Sequence, residues 1–150
     1  MVKTMSRGTE LKTVIVDAKS LVLGRMASEV AKRLLNGESI VIINAEEAVV
    51  SGKRLSIIRN AEEFLQVGHH RKGPLHFRNP ERIVKKVVRG MLPRTKPCGI
   101  EALKRLKVYT GSPEGLKDAE KIMLSNADAS NLRGPYIKVS DLARNIGWKE

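Results

Sequence analysis

The chain has 150 residues, 41% of them apolar, enough for one domain with its own core and too few for several. Its 28 Lys and Arg against 16 Asp and Glu give a net charge of +12, a field that attracts polyanions and repels cationic partners, with nucleic acid as the leading candidate. No run approaches the roughly 18 apolar residues of a spanning helix, and no leading apolar stretch carries a cleavage site, so membrane is not an expected partner and the cytoplasm is the expected location.

Residues 1–12, MVKTMSRGTELK, are polar, basic and aperiodic, and read as a flexible N-terminal arm ahead of a single domain at 13–150. TVIVDA (Thr13 to Ala18) is a β-branched run that predicts a strand. In VLGRMASEVAKRLLNG the residues Leu23, Met26, Ala27, Val30, Ala31, Leu34 and Leu35 follow helical spacing, and Gly37 stands where a helix C′ residue belongs. SIVIINA (Ser39 to Ala45) is apolar without alternation, as in a strand covered on both faces. Strand, helix and strand make a βαβ unit with room for a crossover, which is almost always right-handed.

A second helix is predicted from about Lys53 to Leu65, with Leu55, Ile58, Ala61 and Leu65 on its apolar side. A third runs from Glu81 to about Gly90 and a fourth from about Gly99 to Leu106, with a strand at Lys107 to Gly111. SPEGLKDAEK is a polar loop or frayed helix, and SDLARNIGW has Ser140 as N-cap and Trp148 as apolar anchor. Strands alternating with helices predict a three-layer α/β domain.

Between Val67 and Cys98 stand nine Lys or Arg and one acid, Glu81, so about a fifth of the chain carries eight of its twelve excess charges. The nine are Arg71, Lys72, Arg78, Arg82, Lys85, Lys86, Arg89, Arg94 and Lys96, and all three histidines, His69, His70 and His76, lie among them. In ERIVKKVVRGM the cations Arg82, Lys85, Lys86 and Arg89 share one helical face, while Ile83, Val84, Val87, Val88 and Met91 form a stripe nearly opposite. Solvated helices usually offset cations with Glu to Lys pairs; their near absence here implies that a partner supplies the anions. Phe77, in the preceding Gly- and Pro-rich loop, is a stacking surface, but with 3% aromatic residues the chain lacks the rows of rings that bind single strands. Recognition of phosphates and shape in folded RNA fits better.

Enzyme readings find little support. The turn after Ala18, KSLVLGRMAS, has one glycine where a dinucleotide fingerprint needs three. VVSGKR resembles the end of a P-loop, but Glu47 stands at the first glycine position and Arg54 replaces the magnesium-binding hydroxyl. The adjacent His69 and His70 have no nucleophile or acid to complete them. Glu46–Glu47 and Glu62–Glu63 read as surface carboxylates. Cys98 has no Cys or His at zinc spacing and is expected to be buried or inert. No catalytic residue, metal, cofactor or small-molecule substrate is expected.

VRGMLPRTKPCGIEALKRLKVYTG (Val88 to Gly111) closely resembles the signature of the universal large-subunit ribosomal protein L-thirteen family. LGRMASEVAKRLLNGESIVIINAEEAVVSGKR (Leu23 to Arg54) resembles its N-terminal βαβ region, and GPLHFRNPERIVKKVVRG (Gly73 to Gly90) its archaeal and eukaryotic branch. The resemblance implies a mostly parallel four-stranded sheet in a three-layer α/β/α domain. It implies binding to large-subunit ribosomal RNA beside neighbouring ribosomal proteins, in the cytoplasm, with a role in subunit assembly and translation. Gly90, Met91, Leu92 and Pro93 are carried over as the motif core, with Arg89 and Arg94 as RNA-facing flanks. The bacterial form's Tyr- and Gly-rich loop is absent around VGHHRKG. Two other functions compete: a translational regulator binding mRNA off the ribosome, and a nucleotide-binding α/β enzyme. Gly90 either ends the basic helix or leaves room for a close RNA backbone, and Met91 with Leu92 reads as an apolar plug.

Overall fold

The computed structural model describes residues 13–69, 71–74, 76–116, 121–122 and 124–149; the expected arm at 1–12 lies outside them. In chain order the elements are β1 (Thr13–Asp17), α1 (Leu23–Leu35), β2 (Ser39–Ile43), β3 (Val49–Ser51), α2 (Arg54–Gln66), α3 (Pro80–Met91), α4 (Pro97–Lys104), β4 (Leu106–Val108), β5 (Lys121–Ile122), β6 (Tyr136–Lys138) and α5 (Val139–Asn145). Four strands form one sheet in the order β4-β2-β1-β5, with every neighbouring pair parallel. β3 and β6 form a separate antiparallel pair that the sequence did not announce. Three residues each are too short to display a period.

Strand alternation divides the apolar residues between two faces. Val14, Val16, Ile40 and Ile42 point into the main core with Met26, Val30 and Leu34 of α1 and Val84 and Val88 of α3. Ile15, Val41 and Ile43 point the other way, where Leu116 packs on them. Handedness explains the division. The chain steps in one direction from β1 to β2 to β4, then returns across the sheet to β5. Right-handed crossovers therefore set α1, α3 and α4 on one face and the segment containing Leu116 on the other. The three-layer α/β architecture expected from the sequence is the one observed.

α1 ends in a Schellman turn: Gly37, at φ +100°, donates to the Leu34 carbonyl and Glu38 to that of Arg33. Leu35, expected in the core, is 46% exposed, because Ala31 and Leu34 already fill the inward side of the last turns. α2 departs further from expectation. None of its residues is buried and Leu55 is 82% exposed, so the predicted stripe of Leu55, Ile58, Ala61 and Leu65 is not a core face. This helix leaves the β3 and β6 pair and packs against α5, outside the layer that covers the sheet. α5 begins at Val139 on Lys138, without a side-chain cap, so Ser140 is inside the helix. β6 runs straight into it, and the Val139 N–H is taken by the Ala48 carbonyl at 2.8 Å. Trp148 is half-buried beyond it.

Candidate nucleic-acid interface

α3 starts one residue before the predicted position, at Pro80, because Asn79 caps it: its side chain accepts from the Glu81 N–H at 3.0 Å. An Asn–Pro pair, a cap followed by a residue with no N–H to satisfy, was the available signal. Around the helix run three stripes rather than the two expected. Pro80, Val84 and Val88 are buried. On the outward side, Arg82 and Lys85 are exposed and Lys86 and Arg89 half-buried. Between them Ile83 and Val87 are only partly buried, and Met91, predicted in the core stripe, is 43% exposed. α3 packs chiefly on α1, with lesser contacts to β4 and α5, and its apolar arc is only partly covered on the flank of Ile83 and Val87.

The four cations share one groove of about 260 Å³ with Phe77 and Leu103. The Arg82 guanidinium lies 5.6 Å from the centre of the Phe77 ring, and the Lys86 ammonium 4.6 Å from that of Phe64. Such cation–π contacts hold long side chains in place without neutralising them. Among the described residues no carboxylate pairs with any of the four. Glu81 turns away: one of its oxygens accepts from the Thr110 N–H at 2.9 Å and the Thr110 hydroxyl at 3.0 Å. The one acid among the nine cations of this segment is therefore engaged elsewhere.

The turn after α3 extends this surface. Leu92 is 5% exposed and is the plug; Met91 is outside, so the apolar pair expected there is a single residue. Arg89 and Arg94 line one depression of about 130 Å³ with Leu92, Gly99, Ile100 and Leu103. Pro93 is half-buried and its carbonyl accepts from Lys96 N–H at 3.2 Å, which closes the turn into α4. Lys96, exposed, is the N-cap residue of α4. Gly90 does not end α3, which continues to Met91, and a Cβ at Gly90 would meet nothing within 4 Å. Cys98 is exposed, not buried, because α4 turns its apolar side inward through Gly99 and Ala102.

Other expected contacts are not gathered into this groove. His69 and Gly73 exchange backbone hydrogen bonds, leaving Arg71 and Lys72 exposed on a tight turn. One ring nitrogen of His69 accepts from the Arg71 N–H at 3.2 Å and so serves that turn. His70 lies outside the described residues. Arg78 lies against Gly147, past the end of α5: a Cβ there would be 3.0 Å from one guanidinium nitrogen. His76 packs its ring on Phe64, with centroids 4.0 Å apart.

After β1, where a nucleotide phosphate would sit, the backbone N–H groups of Ser20, Leu21 and Val22 are taken by carbonyls of the chain itself. Val22 N–H donates to the Ala127 carbonyl at 2.7 Å, and Ala129 N–H to the Ser20 carbonyl at 2.9 Å. The P-loop-like stretch begins with β3 itself, which pairs antiparallel with β6 outside the parallel sheet. Glu46 is more than a surface carboxylate, since both its oxygens lie within 3.1 Å of the Gly111 N–H. Among the described residues no three His, Cys, Asp or Glu could hold a metal, and no helix is long and apolar enough to cross a membrane.

Comparison with known proteins gives the same direction along nearly the whole chain. A relative from Methanosarcina barkeri, named large ribosomal subunit protein uL13, is 43% identical over 137 residues, covering 90% of this chain and 98% of its own. Proteins of the same name from Methanococcoides burtonii and Aeropyrum pernix are each 40% identical, covering 90% and 95% of this chain and 98% and 94% of theirs. The profile of the family described as Ribosomal protein L13 matches residues 11–115, and the chain belongs to that family.

Proposed function

We propose that this protein is a cytoplasmic constituent of the large ribosomal subunit that binds large-subunit ribosomal RNA through residues 67–98 and supports subunit assembly and translation. Its relatives carry the large subunit in their name, and a protein of this kind is structural rather than enzymatic. The observation that carries the RNA-binding part is the row Arg82, Lys85, Lys86 and Arg89 in one groove, with the segment's only acid bonded to Thr110. Arg94 and Lys96 continue the surface past the turn, while Arg71, Lys72, His69 and Arg78 offer outlying contacts; His70 belongs to the same proposal from sequence alone. Neighbouring ribosomal proteins are the expected further partners.

Such a surface recognises phosphate positions and helix shape rather than base sequence. If five to eight phosphates are neutralised, affinity should fall on a log–log salt plot with a slope of several units, at about 0.7 to 0.9 per phosphate. The decisive experiment is sedimentation of a tagged full-length copy. At low salt it should travel with large-subunit particles; a copy that runs free of them refutes the proposal.

A further inference from the structure

Beside the cation groove lies a second cavity of about 360 Å³, between α2, α3 and α5. Its α3 wall is Ile83, Lys86, Val87 and Gly90, the i, i+3, i+4, i+7 stripe between the buried residues and the cations. Phe64 and Phe77 stand on the other walls. Phe77 and Lys86 also line the cation groove, so the two share an edge.

Three observations define what this cavity fits. Gly90 is the first. A glycine inside a helix is destabilising relative to alanine, yet apart from its chain neighbours and the backbone of α3 itself nothing in the protein lies within 4 Å of where its Cβ would be. The chain's own packing does not require glycine there; an occupant pressed against the helix backbone would. The second is the pairing of rings with cations, since Lys86 stands over Phe64 and Arg82 over Phe77. The third is charge and size: neither lining contains a carboxylate, and the volume sits at the lower end of small-ligand sites.

Resting on the RNA-binding reading above, we infer that this cavity takes one unstacked RNA base whose backbone phosphates lie along the adjacent cation row. A base has apolar faces and a polar edge, and RNA sites commonly hold splayed bases against aromatic rings while Arg and Lys hold the phosphates. One exposed ring, Phe64, and one half-buried ring, Phe77, provide for one base, not a run of them. Lys86, lining both grooves, stands between base and phosphate.

The test is chemical probing of large-subunit particles that carry the full-length chain. Hydroxyl radicals report backbone contact, and base-modifying reagents report base accessibility. In the wild type one base next to the protected backbone should be shielded. Gly90→Leu, which fills the cavity, and Phe64→Ser, which removes a ring, should each expose that base. Affinity should drop about five- to a hundredfold, the range expected for losing one base–aromatic stack. The melting temperature of Gly90→Leu should not fall, which separates a filled cavity from misfolding. A backbone footprint with no base that responds to either variant overturns the inference. So does loss, in Gly90→Leu, of a crosslink to another ribosomal protein in place of a base, since a protein would then occupy the cavity. A wild type without any backbone footprint refutes the RNA-binding reading itself, and this inference with it.

Discussion

The Glu81 carboxylate accepts two hydrogen bonds from Thr110, one from its backbone N–H at 2.9 Å and one from its hydroxyl at 3.0 Å. This ties the first turn of α3 to the chain leaving β4. Hydrogen bonds to charged groups contribute about 1.5 to 3 kcal/mol. Glu81→Ala should therefore lower stability by about 1 to 3 kcal/mol in denaturant unfolding. Combined with Thr110→Val, it should lose less than the sum of the single changes, because the hydroxyl bond can be lost only once. Strict additivity would show that the hydroxyl bond contributes nothing.

How far the sequence foretold these features depends on how regular each one is. α1 and β2 were legible because every turn or every residue repeats the pattern, and the buried residues of α1 are the predicted set minus Leu35. The cations were legible for the same reason: i, i+3, i+4, i+7 spacing puts Arg82, Lys85, Lys86 and Arg89 in one groove whatever the rest of the fold does. The aromatic contacts of that groove were not, because Phe64 and Lys86 are brought together by two helices whose packing no local pattern specifies. The same holds for Glu81 and Thr110, which are 29 residues apart. α2 misled the reading in the opposite sense, since a helical period states which side is apolar but not whether anything covers it.

Replacing Arg82, Lys85 and Arg89 together with Gln should separate binding from folding. All three lie on the outward side of α3, and removing like charges at i, i+3 and i, i+4 relieves repulsion of a few tenths of a kcal/mol per pair. The melting temperature should stay level or rise slightly. RNA affinity should fall, and the salt slope should become shallower by about two to three units. Filter binding at several salt concentrations measures both quantities; parallel losses of binding and melting temperature would show that this face belongs to the core.

Two glycines of the signature should respond to alanine with opposite signs. Gly90 faces open space in the last turn of α3, so Gly90→Ala should stabilise the free protein by up to about 1 kcal/mol. A Cβ on Gly99 would overlap the Pro93 carbonyl, which is fixed within the turn into α4. Gly99→Ala should therefore cost about 1 to 3 kcal/mol, as overpacking does elsewhere. Thermal melts of the two variants side by side decide it, and destabilisation by Gly90→Ala would remove the reason for treating that position as kept open for something outside the chain.

Arg105 joins the two helices nearest β2 and β4. Its guanidinium donates to the Leu34 carbonyl at 2.7 Å, a second donor there beside the Gly37 N–H, in the last turn of α1 where the helix dipole favours a cation. Arg105 caps the C-terminal end of α4 as well, and its backbone carbonyl accepts from the Ile40 N–H of β2, inside the sheet. Arg105→Met keeps most of the aliphatic stem but removes the charge-assisted bond, so stability should drop by about 1 to 3 kcal/mol. Arg105→Lys should recover only part of this, since a compact ammonium lacks the planar fork that reaches the carbonyl. The side chain points into the seam between α1 and α4 rather than toward the cation groove. The salt slope of RNA binding should therefore be unchanged in both variants; a shallower slope would instead make Arg105 one of the phosphate contacts.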